Sequence, residues 1–286
     1  MYYFIYLFVL TVSFYCVNHL IPIFWNSNKK RAQDCSIRKV ATIPCSNEEG
    51  FIDGTWCKAD TTCILLRGKG YTDNKRKVKC DKSGLFEPID LSIYAEGAGE
   101  KKISNVAENI PDIGRLIESN PDYLYLVVTW ILPAEPHLST VMIFRRRLDD
   151  SNTNKDCLLT RFIEGNNSFR KERFKFIPYI QRCPAIIRKG ITLLGGERPT
   201  LLCKKISCKF FRGKNYLELD VNISSSSAAR GLSGMMLPTM KKVSIIFAFT
   251  LEGRCDKELP EELLGAISVT NVDVAQIAKD YVVKYT

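Results

Sequence analysis

Histidine is scarce in this 286-residue chain, which has only His19 and His137. His19 lies in an apolar segment. His137 ends the proline-rich turn Pro133-Ala-Glu-Pro-His137, where an exposed ring is the default. A Ser-His-acid triad therefore has no well-placed base. No Cys-x-x-Cys occurs, so the usual zinc ligand spacings are missing. Gly190, Gly195 and Gly196 lie close together, but no lysine follows them as a phosphate-binding loop requires. Basic runs stand at Lys29-Lys30-Arg31, Lys75-Arg76-Lys77 and Arg145-Arg146-Arg147, and none is interleaved with stacking aromatics. Zinc-finger and RNP signatures are missing too. These gaps leave no catalytic constellation, no cofactor and no metal to expect, and they set nucleic acid aside as a partner.

Lys, Arg, Asp and Glu are wholly absent from Met1 to Trp25. A helix needs about 20 apolar residues to cross a bilayer. Tyr2, Tyr3 and Phe4 stand at one end of the run and Phe24 and Trp25 at the other, an aromatic distribution that suits two headgroup zones. Lys29, Lys30 and Arg31 follow, which places the C-terminal side in the cytosol. The expectation is a retained single-pass anchor. The rival is a cleaved secretory signal; against it stand the missing basic start, the long run and the lack of a small-residue cleavage site. In favour of a lumen stand the acceptor triplets Asn166-Asn-Ser168 and Asn222-Ile-Ser224.

What is present is ordinary for a globular domain: 45% hydrophobic and 25% charged residues. The net charge of +10 fits an anionic membrane surface or an acidic protein, and equally a solvated basic face. Eleven cysteines have two readings. In the cytosol they are reduced and behave as small apolar residues. In a lumen they pair, and loss of Cys16 with a signal would leave an even number.

The organisation expected is 1–25 as membrane segment, 26–50 as polar basic linker, and 51–286 as one domain. Short strands dominate from residue 61. Ile103–Asn120 has helical spacing divided by Pro111. Tyr123–Leu132 and Thr140–Phe144 read as strands, the second closed by the arginine triplet. Leu148–Asp156 reads as a polar loop. Phe169–Gly190 reads as helical in parts, broken at Pro178 and Pro184. Leu201–Phe211 and Tyr216–Ile223 form a hairpin pattern across Arg212-Gly-Lys-Asn215. Leu217, Leu219, Val221 and Ile223 share one face of the second strand. Glu218 and Asp220 share the other and read as ordinary surface acids. Ser225–Lys241 is the main helix, capped by its serines, with Leu232, Met235, Met236 and Met240 on one stripe. The stripe reads first as core. Its sharper reading is the cover of a lipid site made of those four residues. Val243–Leu251 and Leu264–Val272 are strands, and Val274–Tyr285 closes the chain as a short helix or strand. The fold class is α+β, a curved and mainly antiparallel β-sheet with a few packed helices, plus the N-terminal apolar helix.

Several segments carry a family resemblance in order. They are Trp56; Cys63-Ile-Leu-Leu-Arg-Gly-Lys-Gly-Tyr71 with Lys77-Val78; Phe162-Ile-Glu-Gly165, Phe169-Arg170 and Arg173-Phe-Lys-Phe-Ile-Pro-Tyr-Ile180; Cys203–Tyr216; Asn215–Arg230; and Glu258-Leu-Pro-Glu-Glu-Leu-Leu-Gly-Ala-Ile267. Over roughly residues 50–275 the chain resembles the C-terminal domain of the plant ENHANCED DISEASE RESISTANCE 2 proteins. The resemblance implies a domain that in plants follows a membrane-targeting module and a lipid-binding START module and is not known as an enzyme. Here an apolar segment stands in place of those modules, so phosphoinositide binding through them is not carried over. The expected function is a non-catalytic, membrane-anchored module that binds a lipid or a membrane-associated protein. The alternative is a secreted or luminal disulfide-bonded interaction protein.

Overall fold

A computed structural model describes residues 37–47, 51–81, 83–96, 103–134, 137–148, 158–193 and 197–285. The expected membrane helix at 1–25 lies outside them, as do the turn at 97–100 and all but Leu148 of the 148–156 loop. Among the described residues no helix is long and apolar enough to cross a membrane.

The chain begins with strands β1 (Arg38–Thr42), β2 (Thr55–Lys58) and β3 (Leu65–Arg67), the turn of helix α1 (Tyr71–Asn74), and strands β4 (Lys77–Lys79) and β5 (Glu87–Ala95). Helices α2 (Val106–Asn109) and α3 (Pro111–Glu118) follow, then the long strands β6 (Tyr123–Ile131) and β7 (Leu138–Arg147). Next come α4 (Leu158–Glu164), α5 (Asn167–Arg173), β8 (Phe174–Arg182), α6 (Ala185–Leu193), β9 (Thr200–Leu201) and α7 (Leu202–Lys205). Strands β10 (Ser207–Arg212) and β11 (Tyr216–Asn222) form the expected hairpin, but the strand expected over Leu201–Phe211 is shortened, since Leu202–Lys205 is the helix α7. Helix α8 (Ser227–Met236), a 3₁₀ segment at Leu237–Lys242, strands β12 (Ser244–Leu251) and β13 (Leu263–Thr270), and helix α9 (Val274–Tyr285) complete the chain.

The strands make two large sheets where a single curved one was expected. One has six strands in the order β1-β5-β7-β6-β11-β10, and the other five in the order β2-β13-β12-β8-β9. Among the described strands all but one pairing is antiparallel. The exception is β6 with β11, parallel from Tyr125↔Tyr216 to Ile131↔Asn222. The two sheets stack face to face over the main core, which includes Leu91, Phe144 and Leu219 from the first and Phe174, Phe249 and Ile267 from the second. Both outer faces are covered as well. Helices α2 and α3 pack Val106, Ile110, Ile113 and Ile117 onto Tyr94, Tyr125, Val127 and Ile143. The ribbon β3–β4 packs Ile64 and Leu66 onto Ile177, Ile246 and Ala248. A strand such as β6, Tyr-Leu-Tyr-Leu-Val-Val-Thr-Trp-Ile, is apolar on both faces, and such strands need cover on both sides.

Three further segments depart from the sequence reading. The basic stretch taken as linker contains β1, an edge strand paired with β5, and Ile43 just beyond it is buried. Charged residues are common on sheet edges because they discourage pairing with other chains, and that composition disguised the strand. The stretch Phe174–Arg182 is the strand β8 and not helical. Phe174, Lys175, Phe176 and Ile177 are all buried, so the strand shows no clean two-residue alternation. Pro178 is tolerated because its ring nitrogen lies on the same side of the strand as the Ile180 N–H. That N–H turns away from β12 and donates to Glu197 at 2.9 Å. Finally, the arginine triplet belongs to β7 rather than closing it.

Candidate functional site

The serine run does what its chemistry suggests. Ser226 has extended backbone and its hydroxyl accepts from the Ala229 N–H at 3.4 Å, capping α8. Pro238 then converts the continuation into a 3₁₀ segment, so only the first part of the expected helix is α. This helix and its extension lie across one end of the space between the sheets. Beneath them is a cavity of about 190 Å³.

Its wall is apolar. Leu91, Ile93 and Met142 come from the six-stranded sheet, Phe176, Ile245 and Val269 from the five-stranded one. Trp130 stands between them, edge-on to Phe176 at 5.0 Å and to Phe247 at 5.4 Å. Ser233, Met236, Leu237 and Met240 form the cover. Met240 is buried and Met236 half-buried. Two of the four expected site residues, Met236 and Met240, thus meet at one cavity. Leu232 and Met235 belong to α8, but their side chains lie outside the described set. Ser233 and Leu237 are lining residues that the stripe missed: Ser233 lies within α8 but is polar and so was left off an apolar stripe, and Leu237 opens the 3₁₀ segment, where positions rotate relative to a continuous α-helix.

Polar groups in this lining are few. Glu197 sits at its edge, accepting from the Ile180 N–H and, at 3.0 Å, from Arg188. The Trp130 indole N–H is buried and has no acceptor among the described residues. An apolar cavity of about 150 Å³ holds a benzene ring, and sites for drug-sized ligands run to about 300–1,000 Å³. The space here therefore suits one chain or ring, not a whole two-chain lipid.

The segments that carry the resemblance also converge elsewhere. Glu261, 6% exposed, accepts from the backbone N–H of Arg67 at 3.1 Å and of Gly253 at 3.2 Å, and pairs with Lys175. Burial lowers the affinity of Lys175 for its proton, and Glu261 works against that shift. Glu258 accepts from Arg173 at 2.6 Å and from Arg161 at 2.9 Å. Burial alone would raise the Glu258 carboxyl, but the Arg254 N–H and Arg173 hold it below its ordinary value. Arg67 also meets Glu252 at 3.0 Å. Each of these charges is matched within the cluster, so its evident work is to lock the 252–262 loop onto β3 and β8.

The largest surprise is on β11. Glu218 and Asp220 are buried, at 0% and 2% exposure, and are not surface acids. Glu218 accepts from the N–H groups of Val106 at 2.6 Å and Ala107 at 2.9 Å. Asp220 accepts from the Ser104 hydroxyl at 2.7 Å and the Asn105 N–H at 3.1 Å. Together they hold the start of α2 against the sheet. Burial, followed by the neighbouring Asp220, pushes the Glu218 carboxyl up to about 9. No sequence signal separated these acids from exposed ones, because the cover they receive comes from a segment more than a hundred residues away.

The protein named ENHANCED DISEASE RESISTANCE 2-like from Arabidopsis thaliana is 28% identical over 220 residues, covering 77% of this chain and 29% of the relative. The chain thus spans under a third of that relative's length. No solved structure matches. A family model described as Protein ENHANCED DISEASE RESISTANCE 2, C-terminal, matches residues 56–273, which include both sheets apart from β1, the buried acids and the α8 cover. The chain belongs to the ENHANCED DISEASE RESISTANCE 2 C-terminal family.

Proposed function

We propose that this domain is a non-catalytic binding module whose inter-sheet cavity takes a single apolar chain of a membrane lipid, with α8 and the following 3₁₀ segment as its cover. The observation that carries the reading is the cavity itself, lined mainly by apolar side chains and roofed in part by the adaptable Met236 and Met240. The buried Trp130 N–H supplies a donor for a ligand oxygen such as an acyl carbonyl. In the same reading Met1–Trp25 anchors the chain, the domain faces the cytosol, and the basic surface lies against anionic headgroups.

The test is mass spectrometry of lipid extracted from the purified full chain, together with uptake of a fluorescent fatty acid. Met236→Asp places a charge in the cavity wall, and Val269→Phe fills the cavity without one. Both are expected to cut lipid retention several-fold. Val269→Phe should keep a wild-type melting temperature to within a few degrees, which separates a lost site from a lost fold. The reading fails if wild type neither carries nor takes up an apolar ligand, or if Val269→Phe leaves uptake unchanged.

A further inference from the structure

The basic run Lys75-Arg76-Lys77 has no part in the apolar cavity. It belongs to the ribbon β3–β4, which covers the outer face of the five-stranded sheet with Ile64 and Leu66. Residues 73–79 are all exposed. Between Gly68 and Cys80 stand Lys69, Lys75, Arg76, Lys77 and Lys79, against one acid, Asp73. None of these five cations meets a carboxylate among the described residues. The Lys75 ammonium donates to the Thr72 carbonyl, and the other four cationic groups have no partner there. Arg67, on the same ribbon, differs: it is paired with Glu252 and Glu261.

The ribbon holds these charges on a fixed frame. Beyond the strands, the Gly68 N–H donates to the Arg76 carbonyl at 3.0 Å and the Lys75 N–H to the Tyr71 carbonyl at 3.1 Å. The Arg76 N–H donates to the Asn74 side chain at 2.7 Å. The tip is tied down as well. The Thr72 hydroxyl donates to Asp256 at 2.6 Å, and the Arg67 guanidinium lies 4.8 Å from the centre of the Tyr71 ring. The tip is therefore joined to the same 252–262 loop that is locked onto β3 and β8.

The charged surface is also apolar. Leu65 is 49% exposed and Val78 39%. Leu65 stands opposite Lys79 in the register, and Arg67 opposite Lys77. Side chains alternate across a ribbon, so with Leu66 turned to the sheet, Leu65, Lys77 and Lys79 share the outward face. Such a face suits a bilayer. A leucine enters the boundary between headgroups and acyl chains, while lysine stems lie along it and their ammonium groups stay among the phosphates. An acidic protein would have to bring a carboxylate to each cation in register and still cover Leu65. A bilayer needs no register. We propose that the outward face of β3–β4 is the surface by which this domain lies on a bilayer containing anionic phospholipid. The inference rests on the membrane setting proposed above and names the face that meets it. It needs no ligand in the cavity.

The experiment is amine footprinting of the full chain reconstituted on vesicles, using a membrane-impermeant acylating reagent and peptide mass spectrometry. One set of vesicles is phosphatidylcholine alone, and the other contains about 30% phosphatidylserine, both at about 0.15 M salt. Each cation held at an anionic surface favours the bound state by roughly fivefold. Lys69, Lys77 and Lys79 are therefore expected to label about fivefold or more slowly on the anionic vesicles than on the neutral ones. Lys209, exposed on β10 at the edge of the six-stranded sheet, should label alike on both. Leu65→Ser and the double variant Lys77→Gln/Lys79→Gln should each cut the protection of Lys69 several-fold. All three positions are exposed, so melting temperatures should stay at the wild-type value. Val269→Phe, which fills the cavity, should protect the ribbon as wild type does, and this separates failure of the cavity reading from failure of this one. The proposal is overturned if the ribbon lysines label alike on both vesicles, if Lys209 is protected equally, or if either ribbon variant is protected as wild type is. Protection by added poly-glutamate on neutral vesicles, with none on anionic ones, assigns an acidic protein surface and overturns it too.

Discussion

Glu218 shows how far one residue can depart from what its type suggests. Its carboxyl sits wholly inside the protein, receives two backbone N–H donors and lies beside a second acid, Asp220. Two carboxylates in one dry site cannot both ionise cheaply, so one keeps a proton. That proton can also meet the Asp220 Oδ1, which is buried and otherwise has no partner among the described residues. The pH consequence has a definite sign. The folded-state value of Glu218 is raised from 4.5 to about 9, so in that window the folded chain holds a proton that the unfolded chain has released. The stabilisation is complete below the ordinary carboxyl range and is lost as pH rises through about 9, with a slope of at most about 1.4 kcal/mol per unit. Glu218→Gln mimics the protonated acid and should remove most of that slope. Urea unfolding of both proteins at several values between about pH 5 and pH 9 reads the difference. Parallel curves for the two proteins would mean that Glu218 is ionised throughout.

Among the elements, α8 carries the clearest link between sequence and the proposed function. Its serine cap was legible, because it rests on local chemistry, whereas the helix expected to run to Lys241 gives way to a 3₁₀ segment after Met236. Strand β11 was equally legible on its inner face. Its outer face was not, since alternation shows that two faces differ without showing what covers the second. Strand β8 was missed for a related reason: burial on both faces erases the period, and Pro178 looks like a break until the edge position is known. Helix α8 also has a weakness that can be tested. Gly231 and Gly234 lie within it, neither has a positive φ, and a Cβ at either position would meet nothing within 4 Å. Alanine is therefore expected to stabilise the helix by roughly 0.5–1 kcal/mol at each site. If the helix must loosen to admit a ligand, the double variant Gly231→Ala/Gly234→Ala should take up a fluorescent fatty acid several-fold more slowly while binding it no more weakly at equilibrium. Stopped-flow mixing measures this. A stabilised protein with unchanged uptake would place the entrance elsewhere.

At the scale of the whole molecule, the sandwich and its coverings could not be read from local pattern, because sheet membership depends on contacts between distant segments. The parallel β6–β11 pair joins residues about ninety positions apart, a pairing that the mainly antiparallel neighbour pattern of short loops does not reveal. The same dependence decides where the domain begins. Residues 38–46 precede the family match at residue 56, yet they tie the two sheets together. Strand β1 pairs with β5 in one sheet, and the Ile43 N–H donates to Leu91 at 2.9 Å. A few residues on, Trp56 of β2 in the other sheet donates to Pro44 at 3.0 Å, and its carbonyl accepts from Ser46 at 2.8 Å. Ile43 itself lines the apolar cavity. Removing this segment would strip Ile43 from the core, uncover the edge of β5 and open the cavity wall, a loss of about 3–5 kcal/mol on the scale of large core deletions. A chain starting at residue 51 should therefore melt roughly 10 °C below one starting at residue 37, and should lose fatty-acid uptake. Both fragments lack the apolar run at 1–25, so a difference between them reports β1 and its extension rather than the membrane segment. Equal melting temperatures and equal uptake would return residues 38–46 to the role of linker and set the working boundary of the domain at the family match.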